Sequence, residues 1–152
     1  MMNKIFFFLI IISLNNCGYE SLYSKKDSSN LIFGSINLEG NKNVGRKIIP
    51  LLNLSIPKDA SSKYDLELIT NKKLGTVAKD NNGNISIYKT SLEVTVKLLQ
   101  GKRTIKKKVF SEDFTYNNIK NNFDLLQYQI DIEKNLIDKI SNEIFVFLKQ
   151  NK

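Results

Sequence analysis

The chain has 152 residues and a formal net charge of +8, from 23 Lys and Arg against 15 Asp and Glu, with no His, no Trp and a single Cys. Without His the usual general base near neutral pH and the commonest metal ligand are missing, and one Cys excludes an intramolecular disulfide. The remaining Ser, Asp and Glu show no catalytic or metal-ligating spacing, so the sequence reads as a protein that is not an enzyme and carries no cofactor.

The positive excess favours a polyanionic partner, whether phosphorylated lipid, an anionic membrane surface or nucleic acid. Only Arg46 and Arg103 are Arg, and a solvated lysine-rich surface accounts for the same excess. A length of 136 residues after residue 16 suits one domain with one core.

Residues 1–23 read MMNKIFFFLIIISLNNCGYESLY. A cationic start at Lys4 leads into an apolar run over 5–12, extended to Leu14, about half the ~20 residues that a membrane-spanning helix needs. This is the pattern of an export signal, and it argues against nucleic acid as the partner. Cys17 could be a small buried hydrophobe, a reactive thiol or a lipid attachment point; its place just past the apolar run selects lipid attachment. The segment resembles a bacterial lipoprotein signal, with Leu14 at the first lipobox position and Asn15 and Asn16 where small residues normally stand. A diacylglyceryl thioether with an N-acyl chain is enough for stable anchoring.

Residues 24–30 (SKKDSSN) are polar and suit a tether. Residues 31–38 (LIFGSINL) predict a first strand, closed by Gly40 and Asn41. Over 43–54, Val44, Ile48, Leu51 and Leu52 recur at helical spacing behind a cap at Asn41 or Asn43, while Pro50 predicts a short or kinked helix. A loop is expected over 57–63. Three strands follow at 64–77, 85–100 and 104–116, separated by tight turns at 79–84 and 101–102, as in an antiparallel meander with one packed face. In the second of them Tyr88, Thr90, Leu92, Val94, Val96 and Leu98 share a face. In the third, Ile105, Val109 or Phe110, Phe114 and Tyr116 are the core candidates.

Residues 121–149 predict a long helix, with Phe123, Leu126, Ile130, Ile137, Ile140, Ile144 and Leu148 on its apolar stripe, there to cover the sheet. The expectation is α+β: a four-stranded, mostly antiparallel sheet with two helices packed on one face, in the order β-α-β-β-β-α. Residues 1–16 form a signal peptide, 17–30 a lipid-anchored linker and 31–152 a single domain.

Cys17-Gly18-Tyr19-Glu20-Ser21-Leu22-Tyr23 resembles the start of the mature chain in the lipopolysaccharide-assembly lipoproteins (LptE-like), Cys-Gly-(Phe/Tyr)-x-Pro-(Leu/Val)-Tyr, with Ser21 in place of Pro. The element order agrees with that family's sandwich of two helices on a four-stranded sheet. The resemblance implies an outer-membrane lipoprotein, anchored on the periplasmic side through Cys17. Such a protein assists assembly of, and plugs, a β-barrel translocon (an LptD-type partner) and helps insert lipopolysaccharide into the outer leaflet. Gly18 agrees with outer-membrane sorting, and Tyr19 and Tyr23 are expected to seat the linker. The alternative is a stand-alone envelope lipoprotein that binds another anionic ligand or a protein partner. Lys72, Arg103, Lys106 and Lys108 are the candidate phosphate contacts. For the fourth strand a second reading stands beside that one: Lys on an edge blocks sheet-to-sheet association.

Overall fold

The computed structural model describes residues 31–57 and 62–151. The signal, the linker with Cys17, Tyr19 and Tyr23, and most of the loop expected over 57–63 lie outside them.

The elements run β1 (Leu31–Ile32), β2 (Ile36–Gly40), α1 (Lys42–Ile48) with a 3-10 turn (Ile49–Leu52), β3 (Leu54–Ser55), β4 (Asp65–Lys79), β5 (Ile85–Gln100), β6 (Arg103–Asn117) and α2 (Asn122–Gln150). The main sheet has the order β2-β4-β5-β6, with β2 parallel to β4 and the other neighbours antiparallel. The α+β expectation holds: a mixed four-stranded sheet with two helices.

The first predicted strand is two. Leu31 and Ile32 pair with Leu54 and Ser55, whereas Ile36–Gly40 pairs with Leu66–Thr70. Between them the chain turns at Gly34, whose N–H bonds Tyr64 O (2.9 Å), and Ser35, whose hydroxyl bonds Asp65 Oδ1 (2.7 Å). At Gly40 the backbone has φ +70°, and a Cβ there would stand 2.2 Å from the Thr70 carbonyl oxygen, so the step from β2 into α1 requires glycine. The Thr70 hydroxyl holds the same corner by donating to Asn41 O (2.6 Å).

Asn41 caps α1, its Oδ1 accepting from Val44 N. Pro50 falls in the first turn of the 3-10 segment, where a missing N–H is tolerated. The kink anticipated there is thus a change of helix type. In the 79–84 turn, Asp80 Oδ1 accepts from the backbone N–H groups of Asn84 (2.8 Å) and Asn82 (2.9 Å). Those bonds, the one from Asn84 foremost, hold its carboxyl below the usual range.

Strand alternation places Leu66, Leu68 and Thr70 of β4 and Thr90, Leu92, Val94, Val96 and Leu98 of β5 on the helix-covered face, all of them buried. β6 contributes Phe110 and Tyr116, while Ile105, Val109 and Phe114 remain 41–49% exposed. α1 adds Val44 and Ile48, and α2 adds Ile132, Leu136, Ile137, Ile140, Ile144 and Leu148. α2 is about 43 Å long at 1.5 Å per residue, and it is not covered throughout. Phe123, Leu126 and Ile130, expected in the packed stripe, are 74%, 57% and 49% exposed. Phe123 and Ile130 stand seven residues apart on the line that continues through the buried Ile137 and Ile144, so it is their place on the turns nearest the helix N-terminus, and not their side of the helix, that leaves them uncovered.

Candidate functional site

The four lysine and arginine candidates do not form one cluster. Lys72 projects from the covered face of β4 at the level of Leu92, and its ammonium bonds Glu133 of α2, which also accepts from Lys47 of α1 (2.6 Å). Burial alone would raise the Glu133 carboxyl; the hydrogen bonds and charges of Lys47 and Lys72 outweigh it and hold the group below its ordinary range. Three elements are thereby tied at one carboxylate. Lys72 is committed to an ion pair within the chain, a role set by a partner 61 residues away and invisible to local reading.

Arg103, Lys106 and Lys108 stay together near the start of β6. Arg103 pairs with Gln100 at the hairpin, Lys106 lies opposite Leu98 and Lys108 opposite Val96. Lys106 and Lys108 therefore share the helix-side face, as alternation requires, and Lys107 sits on the other face opposite Lys97. Lys97 itself pairs with Glu67 (2.8 Å). The Lys108 ammonium lies 4.9 Å from the ring centre of Phe110 and 5.6 Å from that of Phe147, which pack edge to face at 5.8 Å. A cation over an aromatic pair keeps outward donors for an anion while its stem covers the rings. The sequence named Lys108 but not this platform, because Phe147 reaches it from α2.

The described chain starts at this end of the sheet. Leu31 pairs with Leu54, and Phe33 and Gly34 bond Ser55 and Tyr64 just ahead of β4. The basic start of β6 and Leu31, the first described residue, therefore share one end of the domain.

The opposite end is apolar. Leu74 and Val77 of β4, Phe114 of β6, and Phe123, Leu126 and Ile130 of α2 are each between 45% and 74% exposed. Beside Phe114 at this end opens a cleft of about 390 Å³, lined also by Ile87, Tyr116, Ile119 and Tyr128 with Thr115 and Asn117. Its aromatic walls interlock: Tyr116 stacks on Tyr88 (5.7 Å) and Phe114 (6.5 Å) and meets Tyr128 edge-on (5.6 Å), and its hydroxyl shares a hydrogen bond with Thr90 (3.2 Å). Periodicity placed these residues on apolar faces without showing that the covering layer stops short of them. Among the described residues no three His, Cys, Asp or Glu side chains gather as metal ligands, and no helix is long and apolar enough to cross a membrane.

A two-helix layer on a β2-β4-β5-β6 sheet is a fold seen among bacterial lipoproteins. The fold is similar to rare lipoprotein B from Shewanella oneidensis, with a TM-score of 0.57 and 16% identity over 77% of this chain and 95% of that one. It is similar also to a minor lipoprotein from Acinetobacter baumannii (TM-score 0.60, 13% identity, 80% and 94% covered). An uncharacterized lipoprotein B from Nitrosomonas europaea gives a TM-score of 0.51 at 10% identity, with 82% and 90% covered. No family model matches the chain, and no curated protein matches it in sequence. At these identities the likeness is one of fold.

Proposed function

We propose that the chain is an outer-membrane lipoprotein without catalytic activity, anchored through Cys17 on the periplasmic side. It assists assembly of, and plugs, a β-barrel lipopolysaccharide translocon, and helps deliver lipopolysaccharide to the outer leaflet. The observation that carries this reading is the uncovered apolar end formed by Phe123, Leu126, Ile130, Leu74 and Val77, on a fold shared with bacterial lipoproteins. Apolar exposure gathered in one region marks a protein contact, and the partner that fits is the barrel wall.

The basic end supplies the lipid contacts. Arg103, Lys106 and Lys108 project where lipopolysaccharide phosphates would meet charged donors; Lys72, held by Glu133, is left out of that set. The 14 residues from Cys17 to Leu31 reach about 50 Å when extended, enough for the domain to enter a barrel while its lipid stays in the bilayer.

Affinity purification of the detergent-extracted full chain tests the reading. A β-barrel of much greater mass should co-purify, and be lost with Phe123→Ser/Leu126→Ser. Recovery of the wild-type chain with no barrel favours the stand-alone envelope lipoprotein.

A further inference from the structure

β6 is one border of the sheet and is 15 residues long. A border of that length presents unpaired backbone donors and acceptors that template another strand unless charge or a bulge prevents it. The lysines at 106–108 are the obvious block, but the charge along β6 is divided: Arg103, Lys106, Lys107 and Lys108 fill its first half, Glu112 and Asp113 its second.

We propose that two copies of this chain join along β6, antiparallel about a two-fold axis at Phe110, so that their sheets become continuous. Residues directly opposite each other in an antiparallel pair share a face, which restricts a symmetric pairing to matches between even- and even-numbered, or odd- and odd-numbered, residues. With the axis at Phe110, Lys108 stands opposite the second copy's Glu112 on the helix face, and Lys107 opposite its Asp113 on the open face. Each match occurs twice. An axis at Val109 leaves only Lys106 opposite Glu112, and an axis at Ser111 leaves no opposite charges matched.

The surroundings favour the same register. Glu112 and Asp113 each hold one cation already, Lys139 (2.7 Å) and Lys89 (2.8 Å), and each gains a second. Lys107 has no carboxylate within ion-pair distance among the described residues and faces Lys97 across the hairpin; the second copy's Asp113 relieves that repulsion. The lysine run then acts as a filter: it repels parallel and shifted strands and admits this one. The inference does not depend on the barrel.

The experiment uses the full chain in detergent, with mass measured by light scattering at graded protein concentration. Wild type should be a dimer. Lys107→Asp/Lys108→Glu and Glu112→Lys/Asp113→Lys should each raise the dimer Kd at least about tenfold, since every matched pair becomes like-charged. An equimolar mixture of the two should restore the dimer. Wild type that stays monomeric, or variants as dimeric as wild type, overturn the proposal. Because charge reversal can disturb folding, a second pair of variants gives an independent readout. Val109→Cys and Ser111→Cys, exposed on the open face, should form an inter-copy disulfide on oxidation when mixed and not when separate, being opposite neighbours at disulfide spacing. A mixture that forms no such link overturns the register.

Discussion

Lys72 and Glu133 join β4 to α2 through a charged hydrogen bond, and the same carboxylate draws in Lys47 of α1. Glu133 is only 14% exposed whereas Lys47 is 58% exposed, so loss of the carboxylate leaves cations that turn to water more easily than the acid could. Glu133→Gln should therefore cost only about 1 kcal/mol at neutral pH by urea unfolding. The folded carboxyl titrates below its ordinary value near 4.5. Its contribution is thus complete above that pH and disappears as the pH falls through the lowered value. The variant should lose less stability than wild type over that acid interval.

Gly40 and Gly83 both have positive φ, +70° and +83°, but only Gly40 is crowded, by the Thr70 carbonyl. Gly83→Ala should cost about 1 kcal/mol, the left-handed penalty alone. Gly40→Ala should cost distinctly more, about 3 kcal/mol or above, because backbone must move as well. Thermal melts of the two variants side by side check the ordering.

Along α2, exposure separates residues of similar chemistry. Ile140 is fully buried, and Ile140→Ala should cost about 2–5 kcal/mol. Phe123→Ser and Leu126→Ser should change stability by no more than about 0.5 kcal/mol each. Unfolding measurements on the variants used for the barrel pull-down make this comparison, and a large loss at Phe123 would place it in the core.

Lys108 and Lys72 should part company in lipopolysaccharide binding. Lys106→Glu/Lys108→Glu should weaken it several-fold and Lys72→Gln should leave it unchanged, by titration with purified lipopolysaccharide. Unchanged binding in the first variant returns those lysines to edge protection. Lys108→Met should also cost about 0.5–1 kcal/mol of stability through the lost contact with Phe110 and Phe147.

Fatty-acid labelling should mark the wild type and not Cys17→Ala. Equal label in both would remove the anchor.

What could be read from residues alone follows the range of the forces involved. β5 was legible from Thr90 to Leu98 because one face is buried and alternation is local. Asn41 and Pro50 spoke through caps and missing donors within a turn or two. The break at Gly34 was hidden, since it exists only because Tyr64 and Asp65 arrive from elsewhere. Lys72 was assigned outward for the same reason, its acceptor being on the last helix. Phe123, Leu126 and Ile130 carry a correct helical period, but a period does not report how far the opposing layer extends. Phe110 was separated from Val109 only by the pairing of Val94 with Phe110.

The parallel pairing of β2 with β4 bears on how such a chain acquires its structure as it emerges N-terminus first. β4, β5 and β6 are hairpin neighbours and close over short turns, so their loops cost little entropy. β2 has no partner until β4 has appeared beyond α1 and β3, and it then covers only the third of β4 from Leu66 to Thr70. A strand made before its partner must wait for it, and until then the Leu66–Thr70 border of β4 stays open to rival strands, a vulnerable interval for an exported chain.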